Sequence, residues 1–161
     1  MSTINSAHSI VEQLASAKRQ LQVSDSAALD SRLLMCQVLQ CESVYLMTWP
    51  ERELNTAQLL AFEQLVAQRK AGHPIAYLIG YRDFWSLRLQ VSPATLIPRP
   101  ETELLVETAL ALSLPEQAHV LDLGTGTGAI ALALASEMPN WHVTGIDKSV
   151  DAVTLAKKML S

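Results

Sequence analysis

The residues best suited to chemistry stand together in Asp122-Leu123-Gly124-Thr125-Gly126-Thr127-Gly128, with Asp147 following 19 residues after Gly128. Glycines at alternate positions let the backbone turn sharply and approach a ligand at van der Waals distance, where a Cβ would push the ligand outward. An apolar run begins at Ala129, so the turn opens a helix. The free N–H groups and positive dipole end of that helix face the same place. Asp147 falls at the end of the next apolar run, and in a parallel strand pair that end lies beside the glycine turn. A carboxylate there can accept hydrogen bonds from both hydroxyls of a ribose. Each bond to a charged group contributes about 1.5–3 kcal/mol. Losing both weakens nucleoside binding by about a hundredfold or more.

Asp122 narrows the ligand. A dinucleotide places two phosphates over such a turn, and a carboxylate two residues before Gly124 repels them. A cationic nucleoside is favoured, and S-adenosylmethionine has a ribose, a sulfonium and an ammonium but no phosphate. Gly124, Gly126 and Ala129 do match GxGxxA, so a nicotinamide-dinucleotide site is the rival reading. A P-loop is excluded, because no Lys-Ser/Thr follows the glycines. A plain strand-to-helix turn without a ligand explains the glycines alone. It does not explain Asp122 and Asp147 beside them.

These residues need a β-α-β frame, and the pattern from His119 onward supplies it. His119–Leu123 reads as a short buried strand, and Ala129–Met138 as a nearly all-apolar helix stopped by Pro139. Trp141–Ile146 reads as the second strand, and Ser149 as the cap of a last helix through Leu160. A helix of this length between two strands implies a parallel pair. Upstream, three prolines between Pro93 and Pro100 demand a loop, and Glu101–Leu112 resumes helix. The alternation of Tyr77, Ile79 and Tyr81, then Trp85, Leu87, Leu89 and Val91, predicts a β-hairpin over 74–91, turning at Arg82 and Asp83. The first 72 residues read as a helical bundle. Ile10, Leu14, Ala17 and Leu21 share one helical face. Leu29, Leu33 and Cys36 form a stripe on a second helix, capped by Ser24 or Asp25. Leu59, Phe62, Leu65 and Val66 mark a third, capped by Asn55 and stopped by Gly72 and Pro74. Val44–Trp49 reads as an apolar turn closed by Pro50.

Composition excludes several classes. The 161 residues are 49% hydrophobic and 17% charged, which is inconsistent with a disordered tail. Lys+Arg 12 against Asp+Glu 16 gives a net charge of −4, which argues against binding nucleic acid through phosphates. No apolar run approaches the roughly 18 residues of a membrane span, and the N-terminus opens polar, with Asn5, His8 and Glu12. Cys36 and Cys41 lack CxxC spacing and a second Cys/His pair, so neither a zinc site nor any other metal centre is expected. They read as buried free thiols in a reducing, cytoplasmic setting. His8, His73, His119 and His142 are scattered without a nucleophile–base arrangement. Trp49, Trp85 and Trp141 read as core or hairpin packing.

The motif Asp122-Leu-Gly124-Thr-Gly126-Thr-Gly128 resembles the first motif of the S-adenosylmethionine-dependent methyltransferases. Three upstream stretches narrow the resemblance: Pro74-Ile-Ala-Tyr-Leu-Ile-Gly80, Asp83-Phe-Trp-Ser86 and Val91-Ser-Pro-Ala-Thr-Leu-Ile-Pro-Arg-Pro-Glu-Thr-Glu103. With these, nearly the whole chain is similar to the peptide-chain release factor glutamine methyltransferases, the HemK-type protein-glutamine methyltransferases. The resemblance implies an α/β fold. An N-terminal helical bundle (1–72) would recognise a release factor. A β-hairpin connector (73–92) would lead to the first half of a doubly wound, Rossmann-like methyltransferase domain (93–161). It implies S-adenosylmethionine as cofactor, cradled by Gly124, Thr125, Gly126, Thr127 and Gly128 beside Asp122. Asp147 would hold the ribose, and Arg99 and Glu101 would border the pocket.

The family also carries an Asn-Pro-Pro-Tyr motif further along, whose acceptors orient the poorly nucleophilic glutamine amide. The asparagines here are Asn5, Asn55 and Asn140, and none precedes Pro-Pro. The resemblance therefore implies an N-terminal portion of such an enzyme, inactive alone, and no catalytic residue is named. A release-factor-binding module without catalysis is the alternative of a different class. Two parallel strands with open edges lead us to expect self-association or a loosely packed C-terminal half, and the sequence leaves the oligomeric state open.

Overall fold

A computed structural model describes residues 8–22 and 24–160; Asn5 and Ser161 lie outside them. The chain forms two compact units, Met1–Ile79 and Gly80–Ser161.

The first unit is helical. Helix α1 (Ile10–Gln20) starts where the Ser9 hydroxyl accepts the Glu12 N–H, and it buries Ile10 and Ala17. Helix α2 (Ala27–Leu39) differs from the expected stripe. Asp30, Ser31, Leu34 and Met35 turn inward, while Leu29 is 49% exposed. The reason is polar. Arg69 Nε donates to Asp30 Oδ2 at 2.8 Å, and the Ser24 and Ser26 hydroxyls donate to the same carboxylate at 3.2 and 3.1 Å. A buried carboxylate is tolerated when it is paired and hydrogen-bonded. Ser26, rather than Ser24 or Asp25, occupies the cap position, and its hydroxyl serves Asp30 instead of the helix N–H groups.

The expected turn at Val44–Trp49 is helix α3 (Ser43–Thr48), held by burial of Leu46. Helix α4 (Thr56–Lys70) begins with the predicted Asn55 cap. Gln58 N donates to Asn55 Oδ1 at 2.9 Å and Asn55 N to Gln58 Oε1 at 3.0 Å. Residues 75–79 are not a strand but helix α5 (Ile75–Ile79). The Pro74 carbonyl accepts from the Tyr77 and Leu78 amides, and Ala76 and Ile79 are buried three residues apart. Cys36 and Cys41 are free thiols, half-buried rather than fully buried.

The second unit opens with an antiparallel hairpin, β1 (Tyr81–Phe84) and β2 (Leu87–Gln90), with Phe84 opposite Leu87. The turn is therefore Trp85-Ser86, not Arg82-Asp83. Trp85 adopts φ +56°, costly for an aromatic residue. Two carboxylates hold it there: its N–H donates to Glu103 Oε1 at 2.8 Å, and its Nε1 to Glu137 Oε1 at 2.6 Å. A 3₁₀ turn at Pro100–Thr102 leads into α6 (Glu103–Leu110). Strand β3 (His119–Leu123), α7 (Ala129–Glu137), β4 (His142–Ile146) and α8 (Val150–Lys157) follow. Strands β3 and β4 pair in parallel, with Asp122 opposite Gly145 and Leu123 opposite Ile146. This is the β-α-β-α order that begins a doubly wound sheet.

The core of the second unit is Phe84, Leu89, Val106, Ala118, Ala129, Ala133, Leu134 and Trp141, with Val120 and Val143 packed against it. Strand β3 was expected to be buried but is covered on one face only. Leu121 and Leu123 are 57% and 70% exposed. Side chains alternate across a strand, and the helices cover only the face that carries Val120 and Val143. Trp141 is buried in this core and Trp85 packs against it, as expected, whereas Trp49 is exposed.

Candidate functional site

The strand-to-helix connection after Leu123 is built by its three glycines. Gly124, Gly126 and Gly128 have φ of +76°, +57° and +82°, a region that other residues enter only at a cost. A Cβ at Gly124 would meet nothing within 4 Å, so the surface above it is open. The turn is clamped onto the end of β4: the amides of Gly124 and Thr125 both donate to the Ile146 carbonyl, at 2.8 and 2.9 Å. Gly128 N then donates to the Thr125 carbonyl at 2.8 Å, and α7 starts at Ala129. Gly128 is the N-cap and has no side chain to satisfy the first amides of α7.

Two carboxylates attach to this turn. Thr125 Oγ1 donates to Asp122 Oδ2 at 2.7 Å. Gly126 N donates to Asp147 Oδ2 at 2.9 Å, and Ser149 N donates to Asp147 Oδ1 at 2.9 Å. The bonds from Ser149 and Gly126 hold the Asp147 carboxyl below its ordinary range, so it is ionised at neutral pH. A carboxylate has about four acceptor positions. The Ser149 and Gly126 amides, with a smaller contribution from that of Lys148, leave acceptor capacity for a ribose hydroxyl.

The structure thus brings Asp122, Thr125, Gly126 and Asp147 into one hydrogen-bonded group, with Gly124 and Gly128 shaping the chain between them. Thr127, within the turn, is buried. Glu101 lies on the 3₁₀ turn before α6 and Arg99 just precedes it in extended conformation; both are exposed. None of the bonds that shape the glycine turn runs to them. A cavity of about 190 Å³ lies beside the turn, lined by Thr125, Gly128, Leu132, Val143, Gly145 and Ala156 among others. Neither carboxylate lines it, so it is not where a ribose would be gripped.

Sequence reasoning missed two features. Asp147 braces the glycine turn as well as facing it. Gly145, directly opposite Asp122, leaves the space that the Thr125 side chain occupies. The signal for Gly145 was present as a glycine inside a strand, which marks close approach of another group.

Two family models match the chain: the PrmC N-terminal domain over residues 12–80 and a methyltransferase domain over residues 114–161. Among curated relatives, the release factor glutamine methyltransferase of Aliivibrio fischeri is 56% identical over 137 residues, covering 85% of this chain and 48% of the relative. That of Vibrio cholerae is 53% identical over 147 residues, covering 90% and 51%. That of Escherichia coli is 50% identical over 146 residues, covering 90% and 52%. The chain therefore spans about half the length of the curated relatives it matches. Among the described residues, no helix is long and apolar enough to cross a membrane.

Proposed function

The chain belongs with the N-terminal half of the release factor glutamine methyltransferase family, and from that premise we propose that it binds S-adenosylmethionine for methylation of a glutamine side chain in a peptide chain release factor. Residues 93–161 hold the cofactor, 1–72 meet the release factor, and 73–92 join them. The observation that carries the reading is that Asp122 on β3 and Asp147 just past the end of β4 are both bonded to one glycine turn.

The residues present fit this cofactor. The open backbone at Gly124 admits a ligand at close range, and the ionised Asp147 keeps acceptor positions for a ribose. Asp122 favours a cation and disfavours phosphate, which sets aside the nicotinamide dinucleotide. Arg99 and Glu101 enter this reading through the resemblance alone, as the residues that would border the cofactor. When bound, S-adenosylmethionine supplies an electrophilic methyl on a positively charged sulfur. The task of this chain is to orient it. Asp147 holds the ribose, the glycine turn bears the methionyl part, and Asp122 balances its positive charge. The acceptors that the resemblance assigns to an Asn-Pro-Pro-Tyr motif are not among these residues. No residue here is given a catalytic role. The free thiols fit a reducing cytoplasm.

Calorimetry with the full chain tests the reading. S-adenosylmethionine is expected to bind and NAD is not. Asp147→Ala is expected to weaken cofactor binding by about tenfold or more, the loss of at least one hydrogen bond to a charged group. Binding of NAD in preference would overturn the assignment. With a release factor and labelled cofactor, complex formation without turnover is the expected result. Label transferred to the release factor by this chain alone would contradict it.

A further inference from the structure

Gly145 lies inside β4, and its φ is outside the left-handed region, so its backbone conformation does not require glycine. Its neighbour does. A Cβ built at Gly145 would stand 2.7 Å from Thr125 Oγ1, 3.0 Å from Thr125 Cβ and 3.1 Å from Thr125 Cγ2. These are three atoms of one stiff, β-branched side chain. The Thr125 backbone cannot withdraw, because its amide is bonded to the Ile146 carbonyl and its carbonyl to the Gly128 amide. Gly145 is also the residue paired with Asp122 across the parallel strands. The space above Gly145 is therefore filled by the side chain whose hydroxyl donates to Asp122 Oδ2 at 2.7 Å.

We propose that Gly145 is a positioning residue: its missing side chain seats Thr125, whose hydroxyl fixes the Asp122 carboxylate for the cationic end of the bound nucleoside. The inference rests on the cofactor reading above and deepens it. Asp122 does more than carry negative charge. One of its oxygens is committed to Thr125, which sets the direction of the other. Any methyl at position 145 forces Thr125 to rotate or shift, which displaces the hydroxyl that holds Asp122. The specificity of the turn for a cation thus depends on a residue in the neighbouring strand that need not touch the ligand.

A double-mutant cycle tests this with the full chain and S-adenosylmethionine in the calorimeter. Gly145→Ala and Thr125→Val are each expected to weaken binding by about tenfold, or about 1.4 kcal/mol. Combining them is expected to cost no more than either alone, because both remove one bond. Thr125→Ala, which removes the clashing Oγ1 and Cγ2 together, should bind equally weakly with Gly or Ala at position 145. A purely structural role for Gly145 would show no such coupling. Additive losses, or Gly145→Ala binding within about twofold of wild type, would overturn the proposal.

The cofactor-free chain provides an independent arm. The Asp122 13Cγ resonance is expected to move in Gly145→Ala as it does in Thr125→Val, and an unmoved resonance in Gly145→Ala overturns the seat. That arm separates failure of this inference from failure of the cofactor reading, which predicts binding in the first place. If Gly145→Ala does not fold, Gly145→Ala with Thr125→Gly removes the side-chain clash. It is expected to restore the fold, and persistent unfolding counts against the proposal.

Discussion

The Asp147 carboxyl is held below the ordinary carboxylate range by the Ser149 and Gly126 amides. A group whose folded pKa is depressed stabilises the fold above its unfolded value, and that contribution disappears as the pH falls through the folded one. The glycine turn should therefore keep its shape at neutral pH and loosen in acid. In an NMR titration the Gly126 and Ser149 amide shifts are expected to move together, with a midpoint below the ordinary aspartate value of about 3.9. Asp147→Asn is expected to abolish that joint transition; independent movement of the two amides would show that they do not share one carboxylate. Cys41 illustrates the opposite shift. Burial and the neighbouring Cys36 push its thiol up, so alkylation at neutral pH should be slower than that of an exposed thiol.

Helix α2 shows how one polar contact overrides an apolar pattern. Leu29 and Leu33 point to one buried stripe, yet the helix rotates to place Asp30 against Arg69 of α4. Asp30 is nearly inaccessible, so removing its partner strands a charge. Arg69→Ala is expected to destabilise the helical unit by about 3–5 kcal/mol, read as a lower urea midpoint of helical circular dichroism. Asp30→Leu with Arg69→Met should cost far less, since replacing a buried pair with apolar residues is often neutral. Equal losses in the two variants would refute this account of the pair. The cap of α4 is more local. Asn55→Ala should cost about 1 kcal/mol, in the same measurement.

Among the described residues, the parallel pair β3–β4 is covered on one side only. Leu121, Leu123 and Ile146 are 57%, 70% and 48% exposed, and His119 stacks on His142 along the same face, ring centroids 4.8 Å apart. A contiguous apolar sheet face beside open strand edges favours association. Sedimentation velocity is expected to show mass rising with concentration, and Leu121→Thr with Leu123→Lys should reduce it. A chain monomeric throughout the micromolar range would rule this out.

Local rules were enough for much of this protein. The Asn55 and Ser149 caps, the stop at Gly72, the glycine turn and the parallel β-α-β order all follow from backbone constraints that act within a few residues of the chain. The placement of Asp122 and Asp147 beside that turn follows for the same reason, because a strand end next to a turn is a local feature. What required the folded chain depends on partners distant in sequence. The hairpin turned at Trp85-Ser86 because Glu103 and Glu137 reach it from α6 and α7, and neither residue type announces a turn. Helix α2 rolled toward Arg69, 39 residues away. Gly145 gained its role by lying across from Asp122, a relation set by strand register and by the Thr125 side chain packed above it.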